Sequence, residues 1–147
     1  MLLAVPAAAG LAALASCTSG GDTPVAPAPV NPDVALRAAA VLREQTLIRA
    51  YDAALLAAPA LGDRLRALRG EHLTHLGALD APPESLPTSP APAVTPATPA
   101  AHLARLRSAE RVAGAGHTAD LRTASADLAV VLATLAASEA SHEVALG

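Results

Sequence analysis

Four stretches of the chain each put an acid or an imidazole on an otherwise apolar stripe with three-and-four spacing. The first runs Val41, Glu44, Leu47, Ile48, Tyr51, Leu55, and the second Leu61, Leu65, Leu68, His72, His75, Leu76, Leu79. The third runs Leu103, Leu106, Glu110, Ala113, His117, Leu121, and the fourth Leu128, Leu132, Leu135, Glu139, His142, Leu146. Side chains at that spacing share one face of a helix. A carboxylate on a core-facing stripe must find a partner or keep a proton. Four helices that each bring such a group toward a common interior supply those partners to one another, or hold a metal ion. The residue types agree with helix. Tyr51 is the only ring besides the five histidines, and alanine and leucine fill the apolar positions. Both are strong helix formers, whereas β-branched and aromatic residues suit strands. An alanine-rich interior buries little area per residue, so the expected stability is modest.

Residues 81–99 decide how four helices can be connected. They carry proline at 82, 83, 87, 90, 92, 96 and 99, which excludes helix. Nineteen residues in extended polyproline geometry reach roughly 59 Å. A helix of about 22 residues is only roughly 33 Å long. The segment is therefore long enough to cross the full length of a bundle. Before it, Asn31-Pro32-Asp33 reads as a cap followed by proline in the first turn, so helix 1 is expected from there to about Ala58. Pro59 and Gly62 mark a short turn, and helix 2 is expected to end near Leu79. Helix 3 is expected from about Ala100 to Thr123, with Gly114 and Gly116 allowing close helix contact. Ser125 is the expected cap of helix 4.

The N-terminus carries a different signal. An uncharged apolar run, Met1 to Ala15, leads into Leu14-Ala15-Ser16-Cys17. This looks like a bacterial lipobox: an apolar residue, two small residues, and the cysteine that takes the diacylglyceryl group and becomes the mature N-terminus. Residues 1–16 then read as a lipoprotein signal peptide, although Met1-Leu2-Leu3 lacks the usual positive start. The run is shorter than the about 20 apolar residues of a permanent span. Residues 17–31 read as the lipidated Cys17 and a tether, loosened by Gly and Ser and stiffened by prolines. The expected location is the extracytoplasmic face of the cell membrane, with the membrane as partner through the lipid. A net charge of −3, without clustered positive charge, gives no reason to expect nucleic acid. A homo-oligomer is compatible with the sequence, and no protein partner is specified by it.

The two halves of the bundle region, residues 32–147, read as one unit repeated. Glu44 and Tyr51 are seven apart, as are Glu110 and His117. His72 and His75 parallel Glu139 and His142. Glu44 lies about 15 residues before the first turn and His72 about 13 after it, so an antiparallel pair levels them. Here the chain resembles the ferritin-like superfamily, in particular small bacterial ferritin-like lipoproteins of unknown function. The resemblance implies an all-α four-helix bundle made of two antiparallel helical hairpins joined by a long Pro-rich crossover. It also implies one Glu from helices 1 and 3 and Glu-x-x-His from helices 2 and 4. Glu44 and Glu110 match the single acids, and Glu139-Ala140-Ser141-His142 matches the motif. Helix 2 departs, with His72-Leu73-Thr74-His75. An imidazole presents one lone pair to a metal at a time and does not bridge as two carboxylate oxygens do. Glu71, about 100° around the helix from His72, reads as a poor substitute.

The candidate ligands are thus Glu44, His72, His75, Glu110, Glu139 and His142, with Tyr51 and His117 as partners behind them. The mixture suits one Fe, Mn or Zn ion. It suits equally a metal-free, hydrogen-bonded network kept from a degenerate site. His102, near the start of helix 3, is expected to be solvated, and Glu143 to point away from the stripe. No nucleophile–base pair, phosphate-binding glycine loop or Cys/His zinc motif stands out. Oxidation of Fe(II) enters only as something the resemblance implies.

Overall fold

Asn31 starts the first helix. Its side chain accepts from the Asp33 backbone N–H at 3.0 Å, and Pro32 follows where the missing N–H costs nothing. The computed structural model describes residues 31–81 and 98–147, and in it α1 spans Pro32–Ala57. One 3-10 turn (Pro59–Leu61) leads to α2 (Gly62–Ala78). α3 spans Pro99–Asp120 and α4 spans Ala126–Ala145, capped by the Thr98 and Ser125 hydroxyls. Among the described residues every regular element is helical, as expected for an all-α chain. α3 ends at Asp120 rather than Thr123, because the Thr123 and Ala124 N–H groups turn back onto the Asp120 carbonyl ahead of the Ser125 cap. Cys17, its signal segment and the tether up to residue 30 lie outside the described residues. So does most of the Pro-rich segment.

α1 packs against α2, α3 against α4, and α1 against α3. The apolar interior is split in two. One cluster holds Tyr51, Ala54, Leu65, Leu68, Leu106 and Leu146, with Leu103 against it. The other holds Ala40, Leu79, Leu128, Leu132 and Leu135, with Leu121 and Ala124 against it. Every helix passes from one cluster to the other, and on each the candidate acids and imidazoles fall between. α2 ends in the second cluster with Leu79, whereas α3 begins in the first with Leu103 and Leu106. α1 and α4 both begin at the second cluster, where Asp33 Oδ1 accepts the Ser125 N–H at 2.9 Å. Close approach occurs where expected. A Cβ on Gly114 would lie 3.5 Å from Glu139 Cβ, so α3 and α4 nearly touch beside the acid. At Gly116 the neighbour is Arg43, whose guanidinium crosses the bare backbone to reach Asp120 at 2.8 Å.

The end of α2 shows a local mismatch with a measurable consequence. Ala81 N–H bonds the Leu76 carbonyl and Asp80 N–H bonds the Gly77 carbonyl, the two bonds of a Schellman cap. Asp80 takes the left-handed position with φ 53°, where glycine has no steric penalty. Its charge also opposes the negative end of the helix. Among the described residues Asp80 pairs with Arg37 at 3.2 Å, an exposed contact of little energetic value. Asp80→Gly is expected to stabilise the protein by about 0.5–1 kcal/mol. A denaturant melt showing loss instead would mean the Arg37 pair outweighs the backbone relief.

α4 is, by length and composition, apolar enough to cross a membrane. Here its stripe of Leu128, Leu132, Leu135, Glu139 and His142 is buried in the bundle.

Candidate metal centre

Between the two apolar clusters lies a polar layer. Glu44, His72, Glu110, His117 and Glu139 are fully buried, and His75 and His142 nearly so. A core-facing stripe on each helix brings them there, and the layer is level because the spacings from the turns match. Glu44 is the hub. Its Oε2 is 2.9 Å from His72 Nδ1 and 3.2 Å from His75 Nδ1, and its Oε1 is 3.2 Å from His117 Nε2. Glu110 Oε1 accepts from the Tyr51 hydroxyl at 2.5 Å and lies 3.1 Å from His72 Nε2. His142 Nδ1 stands 3.5 Å from the same oxygen, without hydrogen-bond geometry. Glu139 Oε1 is 3.6 Å from His117 Nε2 and 4.0 Å from His75 Nδ1. Neither Glu139 oxygen has a hydrogen-bond partner among the described residues, nor has Glu110 Oε2.

The structure places all six sequence-derived candidates in one layer but divides them between two groups that share His72, rather than around the single ion expected, and it sets Tyr51 behind Glu110 and His117 behind Glu44. Two other expectations are corrected. His102 is buried, only 5 % exposed, because it falls on the inward side of α3 one turn before Leu106. Glu71 does reach the layer. Its position around α2 leaves the side chain 55 % exposed, but its Oε2 sits 2.8 Å from His142 Nε2. The link is to α4 rather than to α2's own stripe, so spacing within α2 could not reveal it. Glu143 lies off the stripe as expected and pairs with Arg111.

Burial and mutual contact set the charges. Burial pushes Glu139 up, and the neighbouring Glu44 and Glu110 push it further, to about 10. Burial also opposes ionisation of Glu44, but the His117, His72 and His75 rings outweigh it and hold that carboxyl well below the usual range. Glu110 is held at about 2 against burial by His142, His72 and Tyr51. Burial would lower His72, yet Glu110 and Glu44 on its two edges raise it to about 9. Burial and Glu110 hold the Tyr51 phenol protonated.

These shifts fix a pH profile for the metal-free protein. Glu139 and His72 bind protons more tightly folded than unfolded, so their contribution is complete below 4.5 and 6.5 respectively. It is lost as pH rises through about 10 and about 9. Glu110 works the other way: its contribution is present above 4.5 and is lost as pH falls through about 2. Melting in the presence of chelator is expected to be highest near about pH 5 and to fall steadily toward about pH 9. A melting temperature that climbs over that interval would contradict the assigned protonation states.

Two groups in this layer are gathered closely enough to hold a metal ion. Glu44, His72, His75 and Glu139 each offer an atom within 4.8 Å of the others, and so do His72, Glu110 and His142. All are buried, and carboxylate with imidazole is a donor set that suits Zn, Fe or Mn. No family model matches the chain, and no curated protein or solved structure matches it. The functional reading therefore rests on the chemistry of this layer.

Proposed function

We propose that the chain is a membrane-anchored, ferritin-like lipoprotein that binds a transition metal, Fe, Mn or Zn, in the core of its bundle. The observation that carries the reading is Glu139. Its carboxyl group is fully buried, neither oxygen has a hydrogen-bond partner among the described residues, and it offers an atom within 4.8 Å of donor atoms of Glu44, His72 and His75. Leaving such a group unsatisfied costs about 1–3 kcal/mol, which a bound cation would turn into a gain. The ferritin-like part is supported by connectivity. α2 ends at the cluster opposite the one where α3 begins, as two antiparallel hairpins joined by a crossover require. The anchor rests on the Leu14-Ala15-Ser16-Cys17 tetrad. A bound divalent cation would supply Lewis acidity or one-electron chemistry; the chain supplies a buried set of carboxylate and imidazole donors.

A second reading has its own support. With Glu139 protonated and His72 charged, the metal-free layer already balances much of its charge. The chain would then be a structural or interaction lipoprotein of the envelope with a degenerate site. Metal per chain, measured on protein purified without chelator, separates the two. Stoichiometric Fe, Mn or Zn that vanishes in Glu139→Ala/His142→Ala supports the first. Absence of metal, with no uptake on reconstitution, leaves the second.

A further inference from the structure

His72 meets two carboxylates from opposite edges of one ring. Nδ1 lies 2.9 Å from Glu44 Oε2, and Nε2 lies 3.1 Å from Glu110 Oε1. Of the two groups gathered closely enough to hold an ion, one holds Glu44, His75 and Glu139, the other Glu110 and His142, and His72 belongs to both. His72 stands where the motif named above has Glu, and two carboxylates face its two ring nitrogens. In place of the two oxygens of a carboxylate it presents the two nitrogens of a ring. We propose that His72 bridges two divalent transition ions as an imidazolate, one ion on each edge. This deepens the metal-binding reading above and rests on it.

The donor sets support two unequal sites. The first offers two nitrogens and two oxygens, enough to close a four-coordinate site. The second offers two nitrogens and one oxygen, which leaves a position for water or a small ligand. His142 is prepared for the second. Its Nε2 is engaged by Glu71 at 2.8 Å, while its Nδ1 is buried, without a hydrogen-bond partner among the described residues, and 3.5 Å from Glu110 Oε1. A carboxylate behind a ring in this way fixes the orientation of a ligating histidine. The charge count agrees. Glu44, Glu110, Glu139 and one imidazolate carry four negative charges, equal to the positive charge of two divalent ions. On binding, both His72 N–H bonds and the Glu139 O–H bond break, and the three protons pass to solvent. Each nitrogen keeps its electron pair and donates it to one ion. The two ions would stand roughly 6 Å apart, two bonds of about 2 Å plus the ring. A carboxylate-bridged pair is closer, about 3.5–4 Å.

Cu(II) is the probe that reads such a bridge, because an imidazolate couples two copper spins antiferromagnetically. Cu(II) is added stepwise to the untagged full-length chain stripped of metal, and the electron paramagnetic resonance signal is followed. The expected result is two ions per chain, a signal that grows through the first equivalent, and one that falls through the second. His142→Ala is expected to hold one ion with an ordinary, uncoupled signal. Should that variant not fold, the wild-type titration decides alone. A signal that grows in proportion up to two equivalents overturns the bridge but leaves metal binding standing. Saturation at one ion overturns the second site and again leaves metal binding standing. No bound ion overturns the bridge and the metal-binding reading together.

Discussion

Zn(II) at a hundredfold excess over its dissociation constant is expected to raise the melting temperature of the chelator-treated protein by about 10–20 °C. A ligand that binds only the folded state stabilises it by about 2.7 kcal/mol at that ratio. For a domain near this size each kcal/mol moves the midpoint by about 4–8 °C. The metal-free layer leaves donor atoms unsatisfied, which favours a low dissociation constant. Both Glu139 oxygens, Glu110 Oε2 and His142 Nδ1 lack hydrogen-bond partners among the described residues. A cation in the first group would engage Glu139 and release its proton, and one in the second would engage Glu110 and His142. The Glu139→Ala/His142→Ala variant should shift by less than about 3 °C under the same conditions. An unchanged midpoint with Zn(II), Mn(II) and anaerobic Fe(II) alike would leave the layer without a metal role.

Glu44→Ala is expected to be the most damaging single substitution in the metal-free protein. Glu44 is in contact with His72 and His75 through one oxygen and with His117 through the other, and all four groups are buried. Truncation leaves three interior rings short of an acceptor and the His72 charge uncompensated on one side. Breaking a buried charged pair in this way costs about 3–5 kcal/mol. An alanine-rich domain is expected near the low end of the usual stability range of about 5–15 kcal/mol. The variant should therefore melt at least about 12 °C lower, or fail to fold. Glu44→Gln keeps the shape and a carbonyl acceptor, and should lose less than half as much. Circular dichroism melts with chelator measure both. A Glu44→Ala midpoint within about 3 °C of wild type would mean water or a rearranged ring replaces the carboxylate.

Much of this layer is legible in the sequence, for a definite reason. Three-and-four spacing fixes which side chains face inward, and distance from a turn fixes height along a helix pair. Glu44 with His72 could be levelled from those two quantities, and they meet. The end of α3 was less legible, because whether a terminal turn stays helical depends on competition with the Ser125 cap. Nearness to a helix start suggests a solvated His102, yet it is buried. It lies four residues before Leu106, so the stripe itself carried the signal for its burial. Glu71 was out of reach for a different reason. A long side chain at the border of its stripe can bend toward a neighbouring helix, and the neighbour's rotation is not written in α2. The two-edged placement of His72 was likewise hidden. Sequence names the ring but does not say which groups stand on either side of it.

The polar layer between two leucine-lined ends has a consequence for alignment. Leucine and alanine layers are nearly interchangeable, so a core built of them alone tolerates one helix sliding along another by a turn. Here a slip of one turn, about 5.4 Å, would drive the Glu139 carboxyl on α4 out of the layer and among leucines. The acids that burden the metal-free fold thereby act as index marks, penalising every stacking of the four helices but one.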